Sequence, residues 1–235
     1  MKNIFKKAHS LYLSEKDAKA IKLIETVEYK SIPDVFLLYI DIHLNPSKGK
    51  VNKANLKKCI ELYKEALSLG ISETAYELGE IYLCDERFKE NIDKAIGYYK
   101  KGSELGNSLC VFELLSYYRD NKCNNFEFQI TLATKLLEDK IFKIAALNHL
   151  GRINLNSNFT LFNIKKGLEY YNSSCDLGNS NSCMKLMDFY YKGQFVEKNS
   201  NASFKYCLKA ENGDSSLIID EIIFWKNKLI SELEN

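Results

Sequence analysis

The sequence predicts an all-α protein, an α/α solenoid of stacked helical hairpins sealed by a C-terminal capping helix. Three observations carry this. First, one segment recurs at steps of 36 residues: Ala75-Tyr-Glu-Leu78-Gly79-Glu-Ile81-Tyr82, Val111-Phe-Glu-Leu114-Leu115-Ser-Tyr117-Tyr118, Leu147-Asn-His-Leu150-Gly151-Arg-Ile153-Asn154 and Cys183-Met-Lys-Leu186-Met187-Asp-Phe189-Tyr190. Fixed periods of this length mark stacked repeat architectures. Second, the apolar and small positions inside each copy fall at i, i+3, i+4 and i+7, the spacing of one helix face. Third, composition agrees. Of 235 residues, 46% are hydrophobic and 12% aromatic, and the formal net charge is only +2. That excludes a disordered chain, which pairs low hydrophobicity with high net charge. Two prolines and 11 glycines are few for the closely spaced turns of a sandwich or barrel.

In chain order, residues 1–32 read as an N-terminal hairpin. Its helices run over Phe5–Tyr12 and Asp17–Val27, with Ala8, Leu11, Tyr12, Ala18, Ile21 and Ile24 apolar. Unit 33–70 holds helices over 33–44 and 52–69, joined by Asn45-Pro-Ser-Lys-Gly-Lys. In unit 71–106 the second helix aligns Ala95, Ile96, Tyr99 and Gly102 on one face, and its stretch from Asp93 to Ser108 is echoed by Lys165 to Ser180, 72 residues on. Units close on Leu105-Gly106-Asn107 and Leu177-Gly178-Asn179, where glycine can turn left-handed to end one helix and asparagine can cap the next. Gly79 and Gly151 sit inside helices. Such a glycine costs about 1 kcal/mol relative to alanine, offset if the missing side chain lets the partner helix come close.

Unit 107–142 departs from the pattern. Phe142 stands at the closing-glycine position, the second helix near Phe126–Lys140 lacks the tyrosine pair, and the loop from Asp120 to Asn125 carries Cys123. Drift in a tolerant unit accounts for this; the sharper reading is a local change of curvature that shapes a groove. Units 143–178 and 179–214 restore the pattern. In 215–235, the stretch Ser216–Leu233 is too apolar to stand free. It is expected to cap the last repeat, since solenoid ends must be sealed, the alternative being a helix that docks a partner or a second copy.

The first twenty residues contain lysines but neither a signal-length apolar run nor a small-residue cleavage site, which argues against secretion. The stretches Val35–Ile40 and Leu217–Trp225 fall short of the roughly 18–20 residues of a membrane span. The expectation is a cytoplasmic protein with no membrane insertion. Nucleic acid is not an expected partner, because phosphate binding rests on clustered positive charge and the lysines around 48–58 are followed closely by Glu61, Glu65, Glu77 and Glu80. The seven cysteines are 59, 84, 110, 123, 175, 183 and 207, without a C-x-x-C, so zinc and thioredoxin-like signatures are missing. In a reducing cytosol they read as small buried thiols. In an exported chain, Cys175 and Cys183, eight apart across a glycine turn, would be the best disulfide candidate.

No catalytic constellation stands out. His9, His43 and His149 are far apart in repeat order, and there is no H-E-x-x-H, P-loop or G-x-G-x-x-G. No cofactor or metal is implied. Ser-x-x-Lys occurs at Ser47/Lys50 and Ser182/Lys185, the spacing β-lactamases use, but Ser-Asp-Asn and Lys-Thr-Gly are absent and a chain this rich in serine and lysine carries the spacing by chance.

The pattern resembles the Sel1-like repeat, a relative of the tetratricopeptide repeat, whose run is roughly A-x-x-L-G-x-x-Y, a short loop, then K-A-x-x-Y-Y-x-K-A-x-x-x-G. Ala75 to Gly106 follows it, with Lys94-Ala95 and Tyr98-Tyr99, and Phe189 to Asp214 follows it through Tyr190-Tyr191-Lys192-Gly193, Ala202, Tyr206 and Lys209-Ala210. The resemblance covers roughly residues 33–214. The Cys175-x7-Cys183 spacing is similar to that of the cysteine-rich, exported Sel1-like proteins of Helicobacter type, although the matching positions elsewhere are Leu67/Ala75 and Ser103/Val111.

The resemblance implies a non-enzymatic scaffold or adaptor that holds a protein or peptide partner. The alternatives are a weak β-lactamase-like hydrolase, as some cysteine-rich relatives are labelled, or an immunity or regulatory protein that blocks one partner. Helix rotation puts two rows opposite the packed face of the first helices: Glu77, Glu113, His149 and Lys185, and beside them Glu80, Ser116, Arg152 and Asp188. These are the candidate partner-binding residues. The C-terminal helix is a candidate for self-association.

Overall fold

A computed structural model describes residues 2–46, 53–84, 91–121, 124–214 and 218–234. The loop from Ser47 to Lys50, with its Ser-x-x-Lys, and Cys123 lie outside the described residues, as do the side chains at 53–55 and Cys84. Among the described residues there are thirteen α-helices, one short 3-10 turn and no strand. No described helix is long and apolar enough to cross a membrane. The fold is all-α, built of stacked α/α hairpins. The chain divides into two compact units, Met1–Leu114 and Leu115–Asn235.

In the first unit, α1 (Lys2–Leu13) pairs with α2 (Asp17–Ile24), α3 (Pro33–Leu44) with α4 (Lys53–Ser68), and α5 (Glu73–Cys84) with α6 (Ile92–Glu104). Helix α2 stops three residues short of the expected Val27: Thr26 Oγ1 turns back to donate to Leu23 O at 2.7 Å, and a 3-10 turn at Tyr29–Ser31 leads to Pro33 at the first position of α3. That position suits proline, whose missing N–H is an orphan there in any case. Ala8, Ala20, Ile24, Val35 and Leu38 seal the first hairpin onto α3. The opposite face of α3 puts Phe36 and Ile40 against Leu56, Cys59, Ile60, Tyr63 and Leu78. A helix buried on both sides by its neighbours is what a stacked hairpin requires, because no hairpin covers its own apolar face.

Helix α7 (Ser108–Asp120) spans the division between the units. The second unit continues through α8 (Phe126–Lys135), α9 (Lys143–Asn154), α10 (Ile164–Asp176), α11 (Ser180–Lys192), α12 (Ser200–Glu211) and α13 (Ile219–Leu233). Helix α8 ends at Lys135, not near Lys140. Without a glycine to reverse the chain, residues 136–142 leave through turns, with Asp139 Oδ1 accepting from the backbone N–H of Ile141 at 2.8 Å and of Phe142 at 3.0 Å. Helix α13 puts Ile222 and Leu229, both fully buried, into the core formed by Cys183, Leu186, Met187, Cys207 and Ala210. It seals that end of the stack.

The glycines serve two purposes. Gly70, Gly106 and Gly178 have φ of +85°, +84° and +88°, the left-handed conformation that closes a helix at little steric cost. Gly79 and Gly151 instead clear space: a Cβ on Gly79 would run into the Tyr99 ring, and one on Gly151 would sit 2.9 Å from Tyr171. The repeated Leu-Gly and Tyr-Tyr pairs thus specify one contact, ring against bare helix backbone.

Candidate functional site

The first helices of successive hairpins, α3, α5 and α7, carry Asp41, Glu77, Glu80 and Glu113. Glu80 accepts the Tyr99 hydroxyl at 2.5 Å, so the residue that packs on Gly79 also orients this carboxylate. Glu77 is half-buried; burial pushes its pKa up, and the nearby Glu80 and Asp41 carboxylates push it further. Glu113 is raised by burial and then by Glu80. Glu77 thus feels carboxylates on its own helix and on α3, and Glu113 feels one on α5. Loss of hydration and like-charge repulsion both disfavour the ionised forms of Glu77 and Glu113.

In the second unit the two rows diverge. His149 is only 5% exposed and its Nε2–H donates to Gln129 Oε1 at 2.9 Å, so it lies behind the surface. Burial first, then the Arg152 and Arg119 charges, hold its pKa down at about 3. Arg152 is half-buried, with Nη2 3.4 Å from Gln129 Oε1 and a buried Nε that has no hydrogen-bond partner. Ser116 is partly buried. Lys185 and Asp188 reach the wall of a groove of about 370 Å³ between α11 and α13, with Met184, Met187, Lys192 and Trp225. Asp188 is held by Lys192 at 2.8 Å, one helical turn on. Trp225 was no part of either row. Its signal in the sequence was the unusually apolar last helix, but only packing shows which ring faces the groove.

Cys175 on α10 and Cys183 on α11 are joined by a disulfide, their Cα atoms 4.8 Å apart across the Gly178 turn. The buried thiols of Cys59 and Cys110 are pushed up by loss of hydration to about 11 and about 12, so neither is a ready nucleophile. Ser182, of the second Ser-x-x-Lys, is 1% exposed. Its hydroxyl is engaged with Asn148 and Ser174 while Lys185 points to solvent. That serine belongs to a buried polar contact between helices.

Helical hairpins recurring at 36 residues, a tyrosine ring on a helical glycine in two of them (Tyr99 on Gly79, Tyr171 on Gly151) and left-handed glycines at the junctions define an α/α hairpin-repeat protein. The sequence model of the Sel1 repeat matches residues 42–71, 72–107, 144–179 and 181–215, more than half of the chain. The chain belongs to the Sel1 repeat family. A Sel1 repeat protein from Oxalobacter formigenes has the same fold, with a TM-score of 0.71 at 16% identity over 88% of this chain and 85% of that one. A protective antigen of uropathogenic Escherichia coli strains, displaying an SLR fold, gives 0.64 at 18% identity over 91% of this chain and 44% of the other, so this chain spans less than half of that antigen. An immunity protein from Pseudomonas aeruginosa aligns at a TM-score of 0.37 with 17% identity over 76% and 64% of the two chains, too low a likeness to carry an argument. No curated protein matches the sequence.

Proposed function

We propose that this chain is a non-enzymatic scaffold or adaptor that captures a protein or peptide through the first-helix surface, without a cofactor. The supporting observation is the shared field of Asp41, Glu77, Glu80 and Glu113. The ionised forms of Glu77 and Glu113 are disfavoured by burial and by the neighbouring carboxylates, and an approaching cation relieves that cost. In the second unit, the groove of Lys185, Asp188 and Trp225 offers apolar and charged contacts of its own. The Sel1 repeat fold agrees with a protein-interaction role. The favoured partner segment brings lysine or arginine to the acidic row.

The test is affinity capture from the native cell, read by mass spectrometry, with the parent chain and with a Glu77→Lys/Glu80→Lys/Glu113→Lys variant as baits. The expected result is a partner recovered by the parent and lost from the variant, with capture by the parent falling as salt rises, because exposed charge contacts are screened. Equal recovery by a folded variant removes these residues from the binding surface.

A further inference from the structure

We infer that α13 is a self-association surface that takes the α13 of a second copy of this chain, antiparallel, about a two-fold axis at Phe224. The inference rests on the outer side of the helix and is independent of the acidic row. Phe224 is 61% exposed and Ile223 46%, although the other side of α13 is fully buried at Ile222 and Leu229. The Phe224 ring is set edge-on to Trp225 at 5.8 Å. A large apolar ring held outward beside an exposed isoleucine asks for a cover.

The charge pattern identifies the cover. Asp220 and Lys228 lie four residues to either side of Phe224, one turn away each, about 6 Å along the axis, on the same outer line of the helix. Asp220 is exposed, and among the described residues it forms no ion pair within 4 Å. Lys228 is partly buried, with Nζ 4.6 Å from the Trp225 ring centre and 4.9 Å from that of Tyr191 on α11. Among the described residues it forms no ion pair within 4 Å, and its flexible stem must swing the ammonium off these rings to meet a carboxylate of a second copy. An acid, an aromatic ring and a base at equal spacing form a self-complementary line. Turned over about Phe224, the line places Asp220 of each copy against Lys228 of the other and Phe224 against Phe224. An isologous two-fold contact has this property by definition. A partner of unrelated sequence has no reason to match it. One helix pair buries less than the roughly 1,200 Å² of a stable interface, so the dimer is expected to be weak and concentration-dependent.

Sedimentation velocity of the full chain over a concentration series tests this. The expected result is a monomer–dimer equilibrium that Phe224→Ser abolishes with at most a small change in the melting temperature of the monomer, since the ring is mostly exposed and touches the core only through Trp225. Asp220→Lys alone and Lys228→Asp alone should each weaken the dimer at least tenfold by opposing like charges, and the double swap should restore it. Recovery by the double swap cannot come from a folding defect. A parent chain that stays monomeric throughout the series overturns the inference, as does a dimer indifferent to Phe224→Ser or one that the double swap fails to restore.

Discussion

At position 149 the rotation of α9 places an imidazole in the same row as Glu77 and Lys185, yet the side chain is 5% exposed and bonded to Gln129 of α8. The row could be read from helical periodicity. The inward turn could not, because it depends on an amide from a helix whose sequence had lost the repeat pattern. The consequence is a pH dependence. Burial and two arginine charges hold the folded pKa at about 3, against about 6.5 for a free imidazole. Between those values the unfolded chain takes up a proton that the folded chain refuses, so stability is full above about pH 6.5 and falls as the pH drops towards 3. Each unit of pKa difference corresponds to about 1.4 kcal/mol. Glu77 and Glu113, raised by burial, act in the opposite sense at the acid end, so the informative comparison is between variant and parent. His149→Gln should flatten the slope of melting temperature against pH over this window. Parallel slopes for the two proteins would remove the buried imidazole as the cause.

Among the elements, the hairpins were the most legible part. Leu78 and its counterparts recur every 36 residues, and the left-handed glycines and the two tyrosine-on-glycine contacts fall in the same register, so several signals in the sequence agree. Asparagine capping was only partly legible. Asn107 and Asn179 were read from their place after a glycine, and each accepts an N–H three residues on, at 3.0 and 2.9 Å. Asn91, Asn125, Asn163 and Asn199 cap second helices in the same way, with no glycine before them to mark the place. At the α10–α11 junction the sequence reads as packed thiols in a reducing compartment and as a cross-link only in an exported chain, and the structure has the cross-link. Closing so short a loop should contribute about 2–3 kcal/mol, chiefly by restricting the unfolded chain. Reductant is therefore expected to lower the melting temperature of the parent and to leave a Cys175→Ser/Cys183→Ser variant unmoved. A parent melt insensitive to reductant, with both cysteines alkylated after unfolding in non-reducing buffer, would show two free thiols instead.

On the scale of the whole molecule, repetition determines how damage spreads. Leu78 and Leu186 occupy equivalent positions three periods apart, and both are fully buried, but in different cores: Leu78 with Phe36, Ile60 and Tyr63, Leu186 with Cys183, Cys207 and Ile222. In a stack where each hairpin touches only its neighbours, stability is close to a sum of unit and nearest-neighbour contributions. Truncating either leucine to alanine should cost about 2–5 kcal/mol, the range for a buried leucine that leaves a cavity. The loss should also be local. In hydrogen exchange, Leu78→Ala should deprotect the amides of α3 to α6 while α11 to α13 keep parental protection, and Leu186→Ala should do the reverse. A globule with one shared core would lose protection throughout in both variants. Equal, chain-wide deprotection would therefore contradict the stacked architecture itself and, with it, the reading of the 36-residue period as a packing unit.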